Sequence, residues 1–158
     1  MTKLPPIEKI PEAWTAIADG HVRLEPDAGR ALVESSNEAK TYTVTFDGDT
    51  YTSNDNATYW QGYAGYPIIA VLMLRGRLPL DGSLSEQFRD VDWKSINDRF
   101  KRDYAGALDE VISERGLDKD RVTAAMTLAY DDLKELPLTI KRGSVRPPKS
   151  TKTSTKTK

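Results

Sequence analysis

Four aromatic side chains crowd into eight positions of this chain: Tyr59, Trp60, Tyr63 and Tyr66. Amides flank them at Asn54, Asn56 and Gln61. Rings at this density can stack on bases or sugars while the amides hydrogen-bond to their edges. The blander reading is that the rings, Trp60 and Tyr66 first, cap a small sheet. Arg75 and Arg77 follow shortly, and Lys141, Arg142 and Arg146 open a basic C-terminal segment. Guanidinium forks suit phosphate and carboxylate. The candidate binding residues are therefore Tyr59, Trp60, Tyr63, Arg75, Arg77, Lys141, Arg142 and Arg146.

Other chemistries are poorly supplied. The chain has no cysteine, which excludes disulfides, thiolate catalysis and iron–sulfur clusters. His21 is the only histidine and has no Ser or Asp motif near it, so it reads as a strand histidine. No metal site, cofactor or catalytic residue is expected. Asp47-Gly48-Asp49 lacks the further acids of a calcium loop and reads as a hairpin turn. Gly62-Tyr63-Ala64-Gly65 has no following Lys-Ser/Thr, and Pro67 removes an N–H that a phosphate cradle would need. Acid pairs such as Asp109-Glu110 and Asp131-Asp132 are adjacent on helices, so their side chains diverge onto solvated faces.

The elements that must position these residues follow from periodicity. Thr41 to Phe46 alternates β-branched and aromatic residues with period two, a half-buried strand. Asp47-Gly48 turns it, and Asp49 to Ser53 returns. After the aromatic loop, Pro67 opens the apolar run IIAVLML, too short to span a membrane and read as a buried helix. Arg75-Gly76 ends it. Upstream, Pro11 to Ala18 predicts a short helix, and His21 to Glu25 and Arg30 to Ser36 predict two strands. Downstream, Ser83 to Arg89 predicts a short helix. Asp92 caps one long helix, with an apolar stripe from Trp93 through Phe100, Tyr104 and Leu108 to Ile112, ending at Gly116. Asp118 caps a second, with Val122, Met126, Ala129 and Leu133 on one face. The short connection between them predicts an antiparallel helical hairpin.

The unit from Ser35 to Leu78 resembles a SWIM-type zinc finger without its ligands. Ser35-Ser36 precede Tyr42 and Val44, as the family's serine line precedes its strand. Tyr51-Thr52-Ser53 stands where that family carries C-x-C. Gly65-Tyr66-Pro67 stands where it carries C-x-H, ahead of the small apolar helix Ile68-Ile69-Ala70. The resemblance implies a ββα unit and a DNA- or protein-binding role. It carries no zinc site, because Tyr, Ser, Gly and Pro are not zinc donors.

The net charge of −1 conceals an asymmetry. Residues 141–158 hold seven Lys or Arg and no acid, leaving sixteen basic against twenty-four acidic side chains before them. The expected organisation is a disordered lead (1–9), one α+β domain (10–140) and a disordered basic tail (141–158). Within the domain, a small antiparallel sheet of three or four strands with one buried helix (10–78) precedes the helical part (83–137). The expected function is a non-enzymatic binding module for nucleic acid, through the tail, or for a protein partner. The alternatives are a small-molecule-binding protein or enzyme using the Tyr59–Tyr66 loop, and a structural subunit associating through the helical hairpin. With no signal peptide and no apolar run long enough for a membrane, a cytoplasmic, soluble protein is expected.

Overall fold

The computed structural model describes residues 3–149. The fold is α+β, with several helices and a five-stranded mixed sheet ordered β1-β2-β3-β4-β5. The strands are β1 (Val22–Glu25), β2 (Arg30–Glu34), β3 (Thr41–Asp47), β4 (Thr50–Ser53) and β5 (Thr139–Arg142). The first four form an antiparallel meander, in which Ala31 faces Val44, Val33 faces Tyr42, and Phe46 faces Tyr51. Period-two alternation therefore becomes one buried face, while Thr41 and Thr45 point to the opposite side. Gly48 makes the hairpin turn with φ 57°, a left-handed backbone that glycine adopts without strain.

Helix α2 (Tyr66–Leu74) lies on the buried face, against β1, β3 and β4. Its residues from Pro67 to Met73 are all buried, so it is apolar all round. Helix α1 (Lys9–Ala18) packs on α2 and on α3 (Gly82–Glu86). Trp14, Phe88 and Trp93 join this layer; Trp93 Nε1 donates to Thr15 Oγ1 at 2.8 Å, and Thr15 Oγ1 donates to the Phe88 carbonyl at 2.7 Å. No helix among the described residues is long and apolar enough to cross a membrane.

Three expectations are corrected. The sheet is neither three- nor four-stranded nor wholly antiparallel, because β5 adds parallel to β4, pairing Ile140 with Tyr51 and Arg142 with Ser53. β4 would otherwise present an unpaired edge, and the short, charged segment TIKR fills it. The segment expected as tail thus begins as a strand; residues 150–158 lie outside the described ones. Of the expected lead, Lys9 opens α1 and the Pro5 carbonyl accepts from Tyr130 at 2.7 Å; residues 1–2 lie outside the described ones.

The third correction concerns the long helix. It is two: α4 (Trp93–Arg99) and α5 (Tyr104–Arg115). Lys101 and Arg102 adopt φ 54° and 66°, Arg102 N returns to the Asn97 carbonyl at 2.8 Å, and the Asp103 side chain caps α5 at Gly106 N. Phe100 is accordingly only half-buried. Beyond the turn at Gly116, α6 (Lys119–Glu135) buries Val122, Met126, Ala129 and Leu133.

Candidate functional site: a polar cavity beside the central helix

Helical spacing puts Lys9 and Glu12 on one face of α1, and Trp93 and Asn97 on one face of α4. These faces meet the turn Ser35–Lys40, the β3 residue Tyr42, the segment Asp55–Ala57 and the first residues of α2 and α5. Together they enclose a cavity of about 360 Å³. A smaller hollow of about 20 Å³, water-sized, continues from Glu12, Tyr66 and Trp93 toward Thr15.

The wall of the cavity is charged and sparsely partnered. Lys9 is 12% exposed along its side chain. Its ammonium has one long hydrogen bond, to Glu12 Oε1 at 3.4 Å, and lies 4.8 Å from the centre of the Tyr104 ring. Asn97 Nδ2 donates to the other Glu12 oxygen at 3.2 Å. Asn97 Oδ1 is buried and has no hydrogen-bond partner among the described residues.

Asp55 forms the floor. One carboxylate oxygen accepts from the Ser53 hydroxyl, and the other from Thr58 N at 3.1 Å. Thr58 in turn donates to the Tyr63 carbonyl and accepts from Gly65 N. Gly65 is required here: a Cβ would lie 2.2 Å from Asp55 Oδ2. Burial pushes the Asp55 carboxyl up, against the pull of Ser53, Thr58 and Lys9. Burial likewise raises the Tyr42 phenol to about 12 and carries Tyr66 well above the ordinary tyrosine range. For Lys9, burial alone would lower the ammonium, but the Glu12 carboxylate and the neighbouring Tyr104 and Tyr63 outweigh it and hold it raised.

The residues expected to bind from the sequence do not gather in one site. Tyr59, Trp60 and Arg142 do meet: the Arg142 guanidinium lies 4.5 Å from the Tyr59 ring centre and 5.9 Å from that of Trp60. The two rings are edge to face, and Trp60 is 62% exposed, so it does not cap the sheet. This cluster sits on a π turn (Ala57–Gln61) against β5. Arg146 is nearby through its carbonyl, which accepts from Asn54 Nδ2 at 3.4 Å. Lys141 is exposed on β5. Tyr63 faces elsewhere, 5.6 Å from the Lys3 ammonium. Arg75 and Arg77 lie at the β3–β4 turn, where Arg75 donates to the Tyr51 hydroxyl at 2.6 Å and Arg77 pairs with Asp49 at 2.9 Å.

Sequence reasoning missed the cavity because Lys9, Glu12, Asn97 and Tyr104 come from separate segments. The available signal was a Lys and a Glu spaced i, i+3 ahead of a core tryptophan. It also treated His21 in isolation. The His21 side chain is 9% exposed; its Nε2 is 3.6 Å from Glu38, and its Nδ1 is buried without a partner among the described residues. One ligand atom from each of His21, Glu34 and Glu38 lies within 4.8 Å of the others, a grouping that a reading of His21 alone leaves out.

An α+β protein with a polar cavity open at one side is the class that fold and site define. The family model described as "Uncharacterised conserved protein UCP014422" matches residues 2–139, and the chain belongs to that family. No curated protein and no solved structure matches it.

Proposed function

We propose that the protein binds a small molecule in the cavity between α1, α4 and the β2–β3 turn. The volume of about 360 Å³ falls within the range of ligand sites, which are concave and carry a few convergent polar groups. The observation that carries the reading is the Lys9 ammonium, which lines the cavity with one long hydrogen bond, to Glu12 at 3.4 Å. A poorly satisfied buried polar group costs on the order of 1–3 kcal/mol, and a ligand offering it an acceptor recovers part of that. A fragment screen by ligand-observed NMR tests this. Hits should lose affinity in Asn97→Ala and Tyr104→Ala and keep it in Trp60→Ala. Hits that bind equally to all three variants would place the ligand elsewhere.

A second reading is supported by the Tyr59–Trp60–Arg142 cluster. Exposed rings beside a guanidinium suit single-stranded nucleic acid, and the likeness of the ββα unit to a SWIM-type finger points the same way. Fluorescence anisotropy with single- and double-stranded oligonucleotides tests it; no binding at low salt removes it. Association through α5 and α6 has less support, since Leu128 is the only large apolar side chain exposed there among the described residues.

A further inference from the structure

We propose that the cavity's ligand is a small anion, with a polar body inside, beside Lys9, and a carboxylate or phosphate head at the mouth, between Lys40 and Arg102. The inference rests on the cavity being a ligand site and adds the ligand's charge and orientation.

The interior is close to neutral. Lys9 and Glu12 oppose each other at 3.4 Å, and burial favours the uncharged form of Asp55. The mouth is not neutral. Of the charged side chains lining it, Lys94 and Asp98 pair with each other at 2.5 Å. Lys40 and Arg102 also line it, and neither has a carboxylate partner among the described residues. Up to residue 140, twenty-four acids outnumber sixteen bases, so carboxylates are in surplus. Two cations left unpaired at one opening, in a body rich in acids, mark a place that an external anion can fill. A charge-assisted hydrogen bond from Arg102 would be among the stronger contacts available to it.

The backbone adds an independent observation. Lys101 and Arg102 are consecutive non-glycine residues in the left-handed region, at φ 54° and 66°. Across the mouth, Glu38 adopts φ 60° in the turn that carries Lys40. Non-glycine residues adopt such conformations at a cost, and strain of this kind concentrates at ligand clamps. Both sides of the opening are thus held away from relaxed geometry, and on one of them the strained residue is itself the cation. Inside, the Lys9 ammonium, with one long hydrogen bond, can take an acceptor carried on the ligand's body.

The test uses matched neutral and anionic probes on the full chain by isothermal titration calorimetry. The pairs are adenosine with adenosine monophosphate, and nicotinamide with nicotinate. In at least one pair the anion should bind about tenfold tighter or more at low salt, as charged hydrogen bonds do, and high salt should shrink the gap. The pair that shows the preference identifies the head group as phosphate or carboxylate. Arg102→Gly removes the guanidinium and relaxes the left-handed backbone, so the fold is retained. Combined with Lys40→Gln it should erase the preference, so that anion and neutral probe bind alike. If the neutral members bind as tightly as the anions, the anion inference is overturned while the cavity reading stands. If none of the four probes binds, it is overturned as well, and the fragment screen alone decides the cavity.

Discussion

Two surfaces grow out of the segment between Asn54 and Tyr66, and they satisfy their polar groups in opposite ways. On one, Tyr59, Trp60 and Arg142 lean on each other in the open, where water supplies whatever hydrogen bonds the protein does not. On the other, Asp55 and Tyr66 turn inward with Lys9, Glu12 and Asn97, where water is scarce and each missing partner is costly. The same stretch of chain makes both, because Thr58 N donates to Asp55 and Gly65 N donates to the Thr58 hydroxyl, which pins its middle. Exposed rings are therefore a poor guide to where the strongest constraints lie. The inward face holds the groups whose removal the fold will feel.

The contrast can be broken most sharply at Glu12. Glu12→Ala leaves the Lys9 ammonium buried without its carboxylate, and a broken buried pair costs about 3–5 kcal/mol. Urea denaturation should show it, and a loss below about 1 kcal/mol would mean that Lys9 reaches solvent freely. Next comes Gly65→Ala. The added methyl overlaps the Asp55 carboxylate, so we expect a loss of about 1–3 kcal/mol from overpacking. Circular dichroism melts would read it, and an unchanged melting temperature would show that Asp55 can move aside.

The titration of the cavity sharpens the comparison further. Tyr42 and Lys9 both hold their protons more tightly folded than unfolded. The unfolded chain releases those protons first, so stability should be intact below about pH 10 and fall as pH rises toward about 12. Denaturation midpoints measured across that window should drop. Tyr42→Phe should flatten the drop, and an equal slope in both proteins would count against a buried phenol. The smallest effect is expected on the outer surface. Arg142→Ala removes an exposed cation–π contact, worth about 0.5–1 kcal/mol. It should leave binding of any cavity ligand unaltered in the same calorimetric titration.

The parts of the fold that were legible are those written in local pattern. The alternation from Thr41 to Phe46 became β3, and IIAVLML became the buried helix α2. Asp92 and Asp118 cap their helices through Ser95 N and Arg121 N. The break between α4 and α5 was not legible, because Lys101 and Arg102 adopt left-handed backbone without the Gly or Asn that usually announces it. β5 was not legible either: TIKR is short and charged, and only the open edge of β4 makes it a strand. Of the cavity, Tyr66 stood out only as one ring of the aromatic loop. Lys9 and Glu12 share only their i, i+3 spacing, Asn97 lies far along the chain from both, and their meeting is a property of tertiary packing.

The position of β5 has a consequence for how the protein is made. A chain emerging from the ribosome completes β1 to β4, α1 and α2 long before Thr139 appears. Until then β4 offers a bare row of amides and carbonyls beside Tyr51, the kind of edge that recruits another strand. Strands that pair before Thr139 is made would form a stage whose open side is the one the last strand will cover. Synthesis slowed between α3 and α6 would prolong that stage, and a chain stopped short of Thr139 would be left in it.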